Sequence, residues 1–253
     1  MIFEVETNSR FKMLCQSAWN DNAQLWISTR NLPVVLKEFI LDFLFSKSNP
    51  SIVDIGCGNG WLLQEILKEK YANKFSYIGI DINNIFVEYL KGVYLENVGS
   101  FFVADFEEKI SVVQDNTIDK AIAVLSLIEM SDLKLVFENI SHILKPGGTC
   151  LIIVLNPYLE MVRLNSEMEE LKKDIANFRR GNLSYYEKKI RTNQIESKVN
   201  YYGLLHPIEK YFSSAINSGL LLNKFNEVDP IHELGEESTI YQCIEFIKPQ
   251  LNG

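Results

Sequence analysis

The stretch Val53-Asp54-Ile55-Gly56-Cys57-Gly58-Asn59-Gly60 decides how the rest of this chain reads. A short apolar run carrying one acid gives way to three glycines in five positions, and Leu62, Leu63, Ile66 and Leu67 then fall on one helical face. Strand, glycine turn and helix in that order form the first βα unit of a nucleotide-binding sheet. Glycine is required where a side chain would hold the backbone away from a ligand or block a sharp turn. A dinucleotide site would need its third glycine at position 61, which is Trp61, and no Lys-Ser/Thr pair follows as a phosphate loop demands.

Further landmarks follow in order. Tyr77-Ile78-Gly79-Ile80-Asp81 is an apolar run ending in a carboxylate 21 residues after Gly60. An acid at that place can accept hydrogen bonds from both hydroxyls of a ribose. Phe101-Phe102-Val103-Ala104-Asp105 repeats the arrangement, Ile118 to Leu125 reads as a buried strand, and Leu144-Lys145-Pro146-Gly147-Gly148 runs into the strand Cys150 to Leu155. Over roughly residues 50 to 155 the chain resembles the class I S-adenosylmethionine-dependent methyltransferases, of the small-molecule type. The resemblance implies a cofactor, S-adenosyl-L-methionine, leaving as S-adenosyl-L-homocysteine. It assigns to cofactor binding Asp54, Gly56, Cys57, Gly58 and Gly60 of the loop, Asp81 with Ile82, Asp105 with Phe106, and Leu125. Asp54 keeps a second reading as a brace for the loop, and Asp119 reads as structural.

The implied fold is α/β: a seven-stranded, mostly parallel, doubly wound sheet of order 3-2-1-4-5-7-6 with the last strand antiparallel. Along the chain, residues 1–50 form an N-terminal helical cap, 51–156 the cofactor-binding core, 157–205 a helical substrate lid inserted after the fifth strand, and 206–253 a helix and β-hairpin completing the core. Val34, Val35, Phe39, Ile40, Phe43 and Leu44 give the cap an apolar helical stripe, with Pro33 at its first turn. Trp19, Trp26 and Arg30 lie just upstream, where the family folds over its cofactor. Arg30 reads either as a partner for the methionine carboxylate or as a surface ion pair. In the lid, Met161, Leu164, Met168, Leu171 and Ile175 step by three and four. Lys172, Lys173, Arg179 and Arg180 read as its solvated face or as a phosphate patch.

Net charge is −8 and the hydrophobic fraction 47%. Such a surface repels phosphate backbones, so the expected partner is a small-molecule substrate and not nucleic acid, with a homodimer left open. Cys15, Cys57, Cys150 and Cys243 are scattered without a C-x-x-C pair, which fits buried thiols in a reducing compartment. With no membrane-length apolar run and no signal-like start, the expected location is cytoplasmic, without membrane association.

Methyl transfer needs alignment, exclusion of water and, for a poor nucleophile, a base. Glu129, in Leu125-Ser126-Leu127-Ile128-Glu129-Met130, matches the acid of the family's L-E-H motif after the fourth strand, while Met130 replaces its histidine, so no metal site is expected. His206, before Pro207 and after Tyr201-Tyr202, is the expected catalytic base or substrate ligand, with Glu129 and Tyr202 beside it. His232 is a second candidate and His142 structural. Asn156-Pro157-Tyr158 is similar to the N-P-P-Y motif of N-methyltransferases but follows the wrong strand. The expected function is methyl transfer to an O or N atom of a small metabolite. Cyclase, lyase or aminocarboxypropyl chemistry on the same cofactor remains open, as does a silent cofactor-binding scaffold.

Overall fold

A computed structural model describes residues 2–4, 8–29, 32–68, 75–164, 184–191, 196–230 and 240–250. The chain runs β1 (Ile2–Glu4), α1 (Asn8–Thr29), α2 (Val34–Leu44), β2 (Ser51–Ile55), α3 (Trp61–Lys68), β3 (Ser76–Asp81), α4 (Asn84–Val93), β4 (Ser100–Val103) and β5 (Ile118–Val124). A short 3₁₀ turn (Leu127–Glu129) leads to α5 (Leu133–Ile143), β6 (Leu144–Leu155) and α6 (Pro157–Leu164). Then come β7 (Ser184–Arg191), β8 (Glu196–Leu205), α7 (Ile208–Asn217), β9 (Leu221–Val228) and β10 (Tyr241–Ile247).

The main sheet has the order β4-β3-β2-β5-β6-β10-β9. Counted along the chain its strands stand 3-2-1-4-5-7-6, as expected, and β10 lies antiparallel between β6 and β9. Alternation along each strand sends side chains to two cores. Ile52, Tyr77, Ile122, Leu151 and Cys243 meet α2, α3 and α4 on one face. Val53, Ile80, Ala121, Ile152 and Phe246 meet α5 and α7 on the other. Helices on both faces bury the centre of the sheet, and every residue of β5 is buried.

Two charges in β5 are held by name. Asp119 accepts from Lys47 (2.5 Å), Lys145 (2.8 Å), the Ser51 amide (3.0 Å) and the Ser51 hydroxyl (2.7 Å). Burial alone would raise its pKa, but the hydrogen bonds from Lys145, Lys47 and Ser51 outweigh that and hold it well below the carboxylate range. Lys120 donates to Ser46 and Thr149 at 2.9 Å and lies 4.3 Å from the centroid of the Phe43 ring, while burial lowers its pKa. Asp119→Ala strands the Ser51 donors, and we expect a loss of about 1–3 kcal/mol. It should appear in urea unfolding as a lower midpoint at unchanged slope. Because the folded pKa is depressed, this stabilisation is present above the ordinary carboxylate pKa of ~3.9 and is lost as pH falls through the folded value.

The insertion differs from the expected all-helical lid. It opens with α6, but its last part is the antiparallel ribbon β7–β8, which pairs with β1 to give a second sheet of order β1-β7-β8. The sequence gives the reason: Tyr185-Tyr186, Ile190, Val199 and Tyr201-Tyr202 favour strands. The expected helical positions Met168, Leu171 and Ile175, and the basic cluster Lys172, Lys173, Arg179 and Arg180, lie outside the described residues. All four cysteines are buried free thiols. Among the described residues no helix is long and apolar enough to cross a membrane.

Candidate active site

A crevice opens at the carboxyl ends of β2 to β5, beneath α1, with about 820 Å³ of empty space counting its mouth. It lies at the edge of the sheet where open α/β folds bind ligands. Its floor comes from Gly56 and Gly58 after β2, Asp81 and Ile82 after β3, Asp105 to Glu107 after β4, and Leu125, Ser126, Glu129 and Met130 after β5. Its roof comes from Lys12, Cys15, Gln16, Trp19 and Trp26 of α1.

The glycine loop and Asp81 form one unit. Gly56 and Cys57 donate their amides to the Ile80 carbonyl at 2.7 and 3.0 Å, which folds the loop back over β3. One Asp81 oxygen accepts from the Gly58 amide at 2.8 Å, and the other from the Asn83 amide at 2.8 Å. A carboxylate offers about four acceptor positions, so these amides leave it acceptor capacity toward the crevice. Burial raises the Asp81 pKa, against the lowering effect of the amides of Asn83, Gly58 and Ile82.

Gly56 sits at φ +73°, and a Cβ there would lie 2.4 Å from the Ser126 Cβ. Ser126 donates its hydroxyl to the Ile55 carbonyl at 2.5 Å and so presses β5 onto the loop. Leu125 just before it has φ +59°, uncommon for a bulky residue and a place where backbone strain is held by the surrounding structure. A Cβ on Gly58 would meet nothing within 4 Å. The loop is therefore open toward the crevice at one glycine and packed shut at its neighbours, an arrangement that fits an adenosyl group lying against it.

Four tethers fix α1 as the roof. Lys12 pairs with Asp105, and the Trp19 indole N–H donates to Glu129. The Asn83 amide donates to the Asn20 side chain at 3.1 Å, and Asn59 donates to the Trp26 carbonyl at 2.9 Å. Trp19 meets Trp26 and Phe86 edge-on, at ring separations of 5.2 and 6.0 Å. Glu107 ties the floor together, one oxygen accepting from the Ser131 amide, the Ser131 hydroxyl and the Asp132 amide, each at 2.7 Å. The Cys15 thiol is pushed up by burial first, then by Glu129 and Glu107, so both carboxylates act on the same patch of wall.

Of the expected site residues, Gly56, Gly58, Asp81, Ile82, Asp105, Phe106, Leu125 and Glu129 meet in this crevice. Asp54, Cys57 and Gly60 do not border it. Asp54 is buried and accepts from the Tyr77 hydroxyl at 2.6 Å, so it braces the loop. Cys57 turns its sulfur under Gly79 into the core, and Gly60 leaves room for the Leu90 side chain of α4. Arg30 and His232 lie outside the described residues. Lys12, Cys15, Gln16, Phe86 and Glu107 are among the crevice residues that no motif singled out.

His206 and Tyr202 are also displaced from the expected place. His206 is 1% exposed and its Nε2 donates to the Met130 carbonyl at 2.8 Å, from behind the turn that carries Glu129. It borders a separate small cavity with Glu160 and Tyr211, and its Nδ1 is buried without a hydrogen-bond partner among the described residues. Burial, reinforced by Lys210 and opposed by the Met130 bond, lowers its pKa to about 4. This buried ring holds the turn from behind, and His206 does not border the crevice. Tyr202 packs beside Phe11, Cys15 and Leu204, steadying α1 on β8.

A histidine whose folded pKa lies below its unfolded ~6.5 destabilises the fold as it gains a proton. Its stabilisation is complete above that unfolded value and is lost as pH falls toward about 4. His206→Gln keeps a donor for Met130 and removes the titration. We expect thermal melts of the variant to lose less stability than wild type between pH 6.5 and 4.

Comparison with known proteins agrees with this geometry. A family model described as a methyltransferase domain matches residues 46–206. The juvenile hormone acid O-methyltransferase of Drosophila melanogaster is 26% identical over 161 residues, covering 60% of this chain and 54% of that protein. The sterol 24-C-methyltransferase erg6 of Aspergillus fumigatus is 31% identical over 106 residues, 40% of this chain and 27% of that protein. The chain thus spans about half or less of the length of these curated relatives. A crystal structure of an S-adenosylmethionine-dependent methyltransferase from Mesorhizobium loti superposes with a TM-score of 0.59 at 15% identity, over 84% of this chain and 96% of that one. With the family model spanning more than half its length and the sheet in the order described, the chain belongs to the methyltransferase-domain family and has the class I, S-adenosylmethionine-dependent fold.

Proposed function

We propose that the crevice binds S-adenosylmethionine and that the chain transfers its methyl group to an O or N atom of a small metabolite. The observation that carries this reading is the Asp81 carboxylate, held at the crevice by the amides of Gly58 and Asn83 with acceptor capacity to spare. When bound, S-adenosylmethionine supplies a methyl group on a positively charged sulfur, already activated for displacement. The protein's part is then to bind, orient and exclude water.

In this reading Asp81 accepts the ribose hydroxyls, and the bare backbone at Gly58 leaves room for the cofactor's body. Asp105 and Phe106 border the adenine. The Lys12 ion pair with Asp105 joins the roof to that side, so α1 responds to what lies beneath it. Trp19 and Trp26 shield the reacting atoms from solvent. Glu129, on the turn after β5, faces the acceptor and holds or takes a proton there. His206 acts only through the Met130 carbonyl, keeping that turn in place. Residues 157–205 serve as the substrate lid, with α6 and β8 as its two ends. A cytoplasmic location, consistent with four free thiols, belongs to the same reading.

Product analysis tests it. Purified protein given S-adenosylmethionine and a small-metabolite extract should accumulate S-adenosylhomocysteine. Methylthioadenosine in its place would mean that a different carbon–sulfur bond is broken, and the methyl-transfer reading would be abandoned.

A further inference from the structure

A second cavity, with about 230 Å³ of empty space counting its mouth, lies where the two ends of the insertion meet the sheet. Its wall takes Pro157 and Glu160 from α6, Leu205 from β8, Ile128 from the 3₁₀ turn and Tyr211 from α7. His206 completes it, and both His206 and Glu160 are 1% exposed. The Met130 carbonyl can only accept, so His206 Nε2 carries the ring proton and Nδ1 presents a lone pair. Nδ1 is buried and has no hydrogen-bond partner among the described residues. Met130 is not part of the cavity wall, so the Nδ1 edge of the ring is the one that faces the space.

The polar groups around the space do not supply the missing donor. A carboxylate, as on Glu160, only accepts, and Tyr211 meets the imidazole ring to ring, edge-on with centroids 5.6 Å apart. A bare buried acceptor is costly, because water solvates it in the unfolded chain. The space therefore suits a small guest with two hydrogens to give. One goes to Nδ1. The other goes to Glu160, whose oxygens offer about four acceptor positions and can take it beside their other contacts. Water is such a guest, and a polar site with room and at least two partners is what a buried water needs.

We infer that one water is held in this cavity between His206 Nδ1 and the Glu160 carboxylate, and that it clamps the insertion to the crevice wall. Glu160 stands in the first helix of the insertion and His206 directly after its last strand, so the water ties the two ends together. Through the His206–Met130 bond the tie reaches the turn whose Glu129 and Met130 line the crevice. Glu129 carries it on to the Trp19 indole in the roof. Glu160 is thus a positioning residue for the crevice, acting from outside it. The inference stands on the fold and needs neither the cofactor nor methyl transfer.

A crystal structure of the whole chain is the first test. Density for a single water within hydrogen-bond reach of Nδ1 and of a Glu160 oxygen is expected. A dry cavity, or a side chain bonded directly to Nδ1, would overturn the inference. Nitrogen NMR then tests the clamp, through the His206 ring nitrogens and the Trp19 indole N–H, assigned with His206→Gln and Trp19→Phe. Glu160→Leu removes the acceptor. The Nδ1 resonance should move downfield, toward that of an unbonded ring nitrogen, and the Trp19 signal should shift with it. Glu160→Gln keeps an acceptor for the water and should leave both signals in place, which keeps the test decisive if the leucine variant does not fold. Either signal unmoved in a folded leucine variant, or either displaced in the glutamine variant, would contradict the clamp. Calorimetry with S-adenosylhomocysteine is read separately: failure to bind would sink the cofactor reading and leave this inference standing.

Discussion

Asp81→Ala is expected to weaken S-adenosylhomocysteine binding by about 2–4 kcal/mol, or roughly 30- to 1,000-fold in Kd. Each hydrogen bond to a charged group contributes about 1.5–3 kcal/mol, and two ribose hydroxyls are at stake. Part of that is offset, because the carboxylate is desolvated even without a ligand and burial already raises its pKa. Alanine also removes the acceptor for the Gly58 and Asn83 amides, so the loop itself loses its anchor. Asp81→Asn should lie between wild type and alanine, since one acceptor oxygen remains. Titration calorimetry decides the matter, and an alanine variant within ~3-fold of wild type would refute the ribose assignment.

Gly56→Ala is expected to damage the fold more than any other single methyl group added to the loop. Its φ of +73° costs an L-residue about 1–2 kcal/mol. The new Cβ would overlap the Ser126 Cβ at 2.4 Å, on a side chain held by its bond to the Ile55 carbonyl. Overpacking of this kind adds about 1–3 kcal/mol. Together, about 2–5 kcal/mol in a chain of this size lowers Tm by roughly 5–15 °C. Gly58→Ala makes the contrast. It shares a left-handed backbone but its Cβ meets nothing, so stability should fall only by the backbone cost of about 1–2 kcal/mol, without the overpacking, while cofactor affinity falls if the methyl enters the crevice. Thermal melts and calorimetry on the two variants separate a packing glycine from a binding one. Equal Tm values would show that β5 does not press on the loop as described.

The sheet was legible from sequence because its parallel strands are apolar runs, β2, β3 and β4 followed by a glycine turn or an acid and the β6 run preceded by a Pro-Gly-Gly turn, and such runs survive without tertiary information. Asp81 and Asp105 were legible for the same reason, since a strand end fixes where an acid points. The roof was not. Along α1 the buried face is made of Phe11, Cys15, Ala18, Asn22 and Ala23, mostly small or polar residues whose stripe is faint. Its crevice residues Lys12 and Trp19 are recognisable only through partners 93 and 110 residues away, Asp105 and Glu129.

The misplaced residues have a common physical origin. Asp54, Cys57 and Gly60 sit in the right motif, but strand alternation turns Asp54 into the core, the loop folds the Cys57 sulfur under Gly79, and α4 fills the space beside Gly60. His206 looked catalytic because it follows two tyrosines near the end of the insertion. Its direction depended on β8, a strand that the helical reading of residues 157–205 did not contain. A ribbon there brings the ring behind Met130, where a buried neutral imidazole braces the turn from outside the crevice.

A crystal structure with S-adenosylhomocysteine bound tests the central claim most directly. The account predicts both ribose hydroxyls within hydrogen-bond reach of Asp81, the adenine bordered by Asp105 and Phe106, and the sulfur turned toward Glu129 beneath Trp19. Density for the nucleoside in another part of the molecule, or a ribose without contact to Asp81, would contradict it.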